Sequence, residues 1–515
     1  MPRRWLLPVA LATMLSACTV QVTGTPVTGQ TETLGPKGTV PAGLERFYGQ
    51  ALTWRDCRGM AHDDESRRAF GTRDVRCATI TVPLDYAKPD GKTAALGLLR
   101  RQATGTKVGS LLINPGGPGV SGMSAAASIA GQIKGSELAE KFDLVGFDPR
   151  GIGVSEPKIT CLTDQEMDAD RAEPDNKTVA EEESENKDFA TKCAERSGGA
   201  DVLANVGTRD VVRDMDVMRS VLGDEKLTYV GYSYGTRIGT AYAEAFPANV
   251  RALVLDGAVD PNEDPVSQAI EQVRGFDKAL DDFFVWCADK RTCTVKDRNT
   301  LRGLLEGLEK TPLDVKGRKL SAGDATTAVA AALYSDETWT FLAGALTDLT
   351  KGDGGQLMLL ADLYLGRSED GKYSGTMAAL VAVRCVDEPR LTDRAQVEEA
   401  TRKIVEGTKD SFMAATDPPL AALDSCAFWP APNTSAPHQP EVAGVPPVLV
   451  ISTTGDPATP YQAGVNLAKA MGGRLLTYEA TQHTVFMQGD ACVDKIGTRY
   501  LVDLALPADG TRCKG

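Results

Sequence analysis

Residues 226–236 constrain this chain more than any other stretch. An apolar run through Thr228, Tyr229 and Val230 enters Gly231-Tyr232-Ser233-Tyr234-Gly235, and a helical pattern follows. Gly-x-Ser-x-Gly between a strand and a helix makes a turn so tight that the flanking positions tolerate little beyond glycine. It lifts the Ser233 hydroxyl clear of the backbone, at the N-terminal end of the next helix. Glycine and serine also mark ordinary turns, so a catalytic reading needs an acid, a base and an oxyanion loop elsewhere in the chain.

The oxyanion loop comes first. Residues 108–114 are a continuously apolar strand that ends in Pro115-Gly116-Gly117-Pro118-Gly119-Val120-Ser121-Gly122. Such glycine density lets backbone N–H groups face a developing negative charge. A plain tight turn and a phosphate-cradling loop are the alternatives, but a P-loop ends in Gly-Lys-Ser/Thr and no such lysine is present. A strand directly upstream and an elbow over a hundred residues downstream suit a pair of oxyanion donors from Gly117 and Tyr234. The acid follows the strand 447–453, in Gly455-Asp456-Pro457. The base follows the last core strand, 474–479, as His483. Of the three histidines, His62 lies in a polar N-terminal segment and His438 in a Pro/Ser/Asn-rich stretch, which leaves His483. The order Ser233, Asp456, His483 is that of an α/β hydrolase. Thr459, three residues past the acid, is placed either to support the triad or to cap the next helix.

The expected architecture is therefore an α/β-hydrolase fold with a mostly parallel sheet. Residues 79–85 and 93–101 read as an antiparallel lead-in, and 142–147 as a further strand. Asp148 and Arg150 after it read as braces beneath the site rather than as catalysts. Polar residues 156–200 read as a solvated excursion held by cysteines. Strand signals then vanish from about 260 to 435, where helical patterns cover 265–286, 322–333, 338–349, 356–365, 376–383 and 393–413. A large helical cap inserted before the last core strands follows from this, giving core segments at 45–260 and 436–515 around a cap at 261–435.

The N-terminus reads as an export signal. Arg3-Arg4 precede a short apolar stretch, and Leu15-Ser16-Ala17-Cys18 has the form of a lipobox, with Cys18 as the lipidated first residue. Residues 19–44, rich in Thr, Gly, Pro and Val, read as a flexible tether from that anchor, which places the protein on the outer face of the membrane or free outside the cell. Ten cysteines remain beyond Cys18, an even number suited to disulfides in an exported chain. Connectivity does not follow from spacing. Sequential pairing is the simplest expectation: Cys57–Cys77, Cys161–Cys193, Cys287–Cys293, Cys385–Cys426 and Cys492–Cys513. Neither a cofactor nor a metal is expected, since no Cys-x-x-Cys occurs and histidine is scarce. A net charge of −14 excludes nucleic acid as a natural partner, and a monomer is expected.

Taken together, Asn-Pro-Gly-Gly-Pro-Gly-x-Ser-Gly, Asp-Pro-Arg-Gly-x-Gly-x-Ser, Gly-x-Ser-Tyr-Gly and Gly-Asp-x-x-x-Pro resemble the secreted tripeptidyl aminopeptidase-like hydrolases of actinobacteria. These belong to the proline iminopeptidase family of serine peptidases. The resemblance spans roughly 50–515, and the lipoprotein layout is also similar to mycobacterial cell-envelope serine proteases. It implies release of short peptides, often tripeptides, from free N-termini, with carboxylesterase activity or envelope endopeptidase activity as alternatives. It also implies an anionic group in the cap for the substrate ammonium. Asp387 and Glu388 are the first candidates, Glu263 and Asp264 the second. Pro115 stands where proline iminopeptidases have histidine, which argues against strict single-proline specificity.

Overall fold

The computed structural model describes residues 29–172, 177–414 and 421–515. The signal segment and Cys18 lie outside them. In chain order the strands are β1 (Gln30–Glu32), β2 (Leu52–Trp54), β3 (Val75–Pro83), β4 (Thr93–Arg101), β5 (Gly109–Asn114), β6 (Phe142–Phe147) and β7 (Leu227–Tyr232). They continue as β8 (Val250–Asp256), β9 (Leu313–Val315), β10 (Arg318–Leu320), β11 (Leu449–Thr453), β12 (Arg474–Glu479) and β13 (Arg512–Lys514). Nine of them form one sheet in the order β13-β12-β11-β8-β7-β5-β6-β4-β3. Only the β3–β4 and β4–β6 pairings are antiparallel.

Burial explains the sequence of each strand. Every residue of β6, β7 and β11 is buried, as for strands covered on both faces. Edge strand β3 instead alternates between buried and exposed positions over most of its length. One face of the sheet packs on Met215, Ile238 and Leu467, from helices Thr208–Val221, Tyr234–Ala245 and Tyr461–Ala470. The other packs on Met123, Ala126, Val493 and Tyr500, from helices Gly122–Gln132 and Ala491–Asp503. Because the parallel strands point one way, their C-terminal ends gather the loops that carry Ser233, Asp456 and His483 along one edge.

Residues 30–44 belong to the fold rather than to the flexible tether that their composition suggests. β1 pairs antiparallel with β2. The Glu32 carboxylate accepts both terminal guanidinium nitrogens of Arg100 at 2.8 and 2.9 Å, and the Trp54 indole N–H at 3.1 Å. The Lys37 N–H donates to Ser220 Oγ at 2.8 Å. Distant parts of the chain supply these partners, so local composition does not reveal them.

Between β8 and β11 lie helices Pro265–Cys287, Arg298–Lys310, Ala322–Ala332, Trp339–Leu349, Gly355–Leu365, Thr376–Asp387 and Arg394–Thr408. The first begins where Asp264 accepts the N–H groups of Val266 and Ser267 at 3.1 Å, with Pro265 at the first helical position. This region is not free of strands. β9 and β10 form a ribbon turned by Lys316 and Gly317, both at positive φ. The stretch 156–200 is also not a detached excursion. From helix Asp164–Ala172, Arg171 reaches Asp324 at 2.9 Å and Asp362 at 2.7 Å, while Asp168 accepts Arg367 at 2.7 Å. Helices of the two insertions are thus joined to each other by ion pairs. Disulfides join Cys57–Cys77, Cys161–Cys193, Cys287–Cys293, Cys385–Cys426 and Cys492–Cys513.

Candidate active site

β7 ends directly in Ser233, whose backbone sits at φ 53° and ψ −123°. This conformation is strained for a residue with a Cβ and persists only where the surroundings enforce it. The surroundings here are close-packed. A Cβ on Gly231 would lie 2.3 Å from the Gly235 carbonyl, and one on Gly235 would lie 2.7 Å from that of Asn114. The Ser233 N–H donates to the Asp256 carbonyl at 3.0 Å, and the Thr236 hydroxyl donates to the Ser233 carbonyl at 2.6 Å. Among the described residues, Ser233 Oγ has no hydrogen-bond partner. Nucleophile–base bonds are commonly long without substrate and tighten in the reacting complex.

The acid and base are already joined. Asp456 is buried at the end of β11, and its Oδ1 accepts the N–H groups of Ala458 and Thr459 at 2.9 and 2.8 Å. His483 Nδ1 lies 2.9 Å from both Asp456 carboxylate oxygens. With Nδ1 committed, Nε2 is the nitrogen left to exchange a proton. Burial opposes charging of the imidazole, but the charge and hydrogen bond of Asp456 outweigh it, and the His483 pKa lies above its ordinary value. The Thr459 hydroxyl donates to Asp456 Oδ2 at 3.1 Å and lies 3.3 Å from His483 Nδ1, so it belongs to this cluster. From the helical region, the Tyr334 backbone carbonyl accepts the His483 backbone N–H at 2.8 Å, and the Tyr334 ring stands edge-on to the imidazole at 5.5 Å.

The glycine loop abuts the elbow. Gly116, Gly117 and Gly119 have φ of 95°, 105° and 108°, and a Cβ on Gly116 would lie 2.8 Å from that of Ser233. Tyr234 opens helix Tyr234–Ala245, so its N–H has no acceptor within the helix. Asp148 does brace this loop: it accepts the Ser121 hydroxyl at 2.7 Å and the Met123 and Val154 N–H groups at 3.1 and 2.8 Å. Arg150 turns the other way, to Asp214 at 2.6 Å. A cleft of about 840 Å³ opens beside the loop, lined by Gly119, Gly151, Ile159, Phe189, Met377 and Val381 among others.

The structure gives Asp387 and Glu388 other work than holding a substrate ammonium. Asp387 is 1% exposed, and its carboxylate accepts the Thr208 N–H and hydroxyl at 2.8 and 2.5 Å and the Tyr234 hydroxyl at 3.3 Å. It locks helix Thr376–Asp387 beneath the elbow. Glu388 pairs with Arg237 at 3.5 Å and Arg384 at 3.3 Å. Asp264 is spent as a helix cap. Glu263 remains without an ion-pair partner among the described residues; burial and its acidic neighbours Asp260, Glu271 and Asp264 push its carboxyl up to about 7. His438 lies 3.0 Å from Glu244, and His62, which lines the cleft, lies 3.3 Å from Asp63.

Residues 109–490 match the family described as alpha/beta hydrolase fold. The chain is an α/β hydrolase. This hydrolase is 42% identical over 530 residues to "Serine protease Hip1" of Mycobacterium tuberculosis, covering 99% of this chain and 97% of that protein. It is 41% identical to "Carboxylesterase B" of the same organism, covering 95% and 94%. Against "Tripeptidyl aminopeptidase" of Streptomyces coelicolor it is 30% identical, covering 86% and 83%. One element of the hydrolase's site is absent from the sequence reading: Asp256, a carboxylate that ends β8 after the apolar run Ala252–Leu255, beside the elbow. An acid closing a buried strand was the available signal.

Proposed function

We propose that Ser233 is the nucleophile, His483 the general base and acid, and Asp456 the group that orients and stabilises the imidazolium. The observation that carries this is the Asp456–His483 pair at 2.9 Å, at the same sheet edge as a serine held at φ 53°. The chain is a serine peptidase acting on peptides or proteins. In the proposed mechanism His483 Nε2 takes the Ser233 proton as Oγ attacks the carbonyl, and the Gly117 and Tyr234 N–H groups receive the oxyanion. His483 then protonates the leaving amine. Water, deprotonated by the same imidazole, attacks the acyl-enzyme and frees Ser233.

The finer reading is an exopeptidase that releases short peptides, tripeptides among them, from free N-termini. The tripeptidyl aminopeptidase relative supports it, as does a cleft of the right size beside the oxyanion loop. With Asp387 and Glu388 engaged elsewhere, Glu263 is the carboxylate we assign to the substrate ammonium. Ester hydrolysis is the second reading, favoured by the relative named carboxylesterase. Residues 261–435 act as a cap in this proposal, joined by 156–200, over a core of 45–260 and 436–515. A signal at 1–18, a lipid anchor on Cys18, residence on the outer membrane face and a monomeric state complete it. The test compares matched tripeptide-coumarin amides, free and acetylated at the N-terminus, with Ser233→Ala as blank. Preference for the free amine supports the exopeptidase. Equal rates mean an endopeptidase, and cleavage of esters alone means an esterase.

A further inference from the structure

Asp256 touches both reacting halves of the site. Its backbone carbonyl accepts the Ser233 N–H at 3.0 Å. Its side-chain Oδ2 accepts the N–H groups of Val485 and Phe486 at 2.8 and 2.7 Å, in the loop that carries His483. The next residue, Gly257, has φ 66°, and a Cβ there would lie 2.9 Å from His483 Cε1 and 3.2 Å from Nδ1. Asp256 is completely buried, and its Oδ1 has no hydrogen-bond partner among the described residues.

We propose that Asp256 is a positioning residue that fixes nucleophile and base to one strand end and adds a second negative charge behind the imidazole. The proposal rests on the triad reading above. A buried carboxylate with one bare oxygen is costly compared with a neutral side chain. Two loop N–H groups could equally be held by an amide oxygen, so the charge itself calls for a function. The charged and titratable groups that face Asp256 are His483, Asp456 and the Tyr232 phenol, with Asp494 beyond that phenol. Burial pushes the Asp256 carboxyl up to about 6, and the two N–H bonds only partly offset this. Above that pH the carboxylate stabilises the imidazolium that forms as Ser233 attacks. Below it, protonation weakens both the field and the grip on the His483 loop.

The test uses the full chain and two readouts that need no natural substrate. These are phosphonylation of Ser233 by a fluorophosphonate and hydrolysis of p-nitrophenyl butyrate, each followed against pH. Asp256→Asn keeps an acceptor for the loop but removes the charge. It is expected to lower kcat and the phosphonylation rate roughly tenfold, to leave KM within about twofold, and to move the acid limb to lower pH. Asp256→Ala also frees the loop and is expected to lose about 10²-fold. A folded Asp256→Asn chain with native kcat and a native pH profile overturns the proposal. Should that variant not fold, the acid limb of the native profile decides: a limb steeper than one proton supports a second ionisation coupled to the imidazole, and a slope of one throughout overturns it. A native chain inert to the fluorophosphonate, like Ser233→Ala, sinks the triad reading and this inference together. A reactive native chain with unaltered variants sinks this inference alone.

Discussion

At the residue scale, the proposed mechanism makes the Asp456–His483–Thr459 cluster set the pH at which the serine is activated. His483 must be neutral to accept a proton, and Asp456 holds its pKa above the ordinary histidine value. Activity is therefore present at alkaline pH and lost as the pH falls through the raised value. Asp456→Asn removes the charge that raises it, so the remaining activity should extend to lower pH. The same change frees the wrong tautomer and should cost about 10³–10⁴ in kcat, measured as a kcat–pH profile on a tripeptide-coumarin amide. Thr459→Val removes a hydroxyl that donates to Asp456 Oδ2 at 3.1 Å while keeping the side-chain shape. Losing one such bond, worth about 1 kcal/mol, should slow kcat about fivefold with KM unchanged. A KM effect in place of a kcat effect would show that Thr459 serves substrate binding instead.

At the element scale, the helices over the site are held by charge as well as by apolar packing. Arg171 sits between Asp324 and Asp362, and Arg318 also reaches Asp362, at 2.5 Å. Removing the cation in Arg171→Met leaves Asp324 poorly compensated and should cost about 3 kcal/mol by urea unfolding at neutral pH. Burial already raises the Asp324 pKa despite Arg171. Without the arginine it rises further, so the destabilisation should shrink as the pH falls and the carboxyl protonates. A pH-independent loss would point to packing alone. Cys385–Cys426 is the covalent counterpart, tying helix Thr376–Asp387 to the segment before β11 across 41 residues of sequence. Replacing both cysteines by serine should cost about 4 kcal/mol by the loop-entropy rule. Because Asp387 on that helix holds the Tyr234 hydroxyl, kcat should fall along with stability.

What was legible in the sequence follows the same division of scale. Ser233, Asp456 and His483 each follow a core strand within a few residues, so local pattern singles them out, and the glycine loop after β5 stands out for the same reason. Asp387 was misread because the run Val386-Asp387-Glu388-Pro389 looks like an exposed helix end. The partners that bury it, Thr208 and Tyr234, are distant in sequence. β1 was missed because Gln30-Thr31-Glu32 carries no apolar alternation; its reason for existing is Arg100 and Trp54. The polar composition of 156–200 likewise conceals that Asp168 and Arg171 point at carboxylates and arginines of the other insertion. Polar residues report burial poorly when a partner of opposite charge is far along the chain.

At the scale of the whole molecule, the charge balance bears on which substrates arrive. A net charge of −14 sets up a field that favours approach of a cationic peptide end over a neutral or anionic one. The same sign is concentrated around Glu263, with Asp260, Asp264 and Glu271 beside it. Encounter should therefore be screened by salt while the chemical step, deep between sheet and helices, should not. For a free-amine tripeptide amide, kcat/KM should fall severalfold between about 10 mM and 500 mM sodium chloride with kcat constant. The acetylated substrate should show little change over the same range. Glu263→Gln should flatten the salt dependence of the free-amine substrate and raise its KM toward that of the acetylated one. If both substrates respond to salt alike, the carboxylate cluster does not read the ammonium, and any selectivity for free N-termini must come from the shape of the cleft.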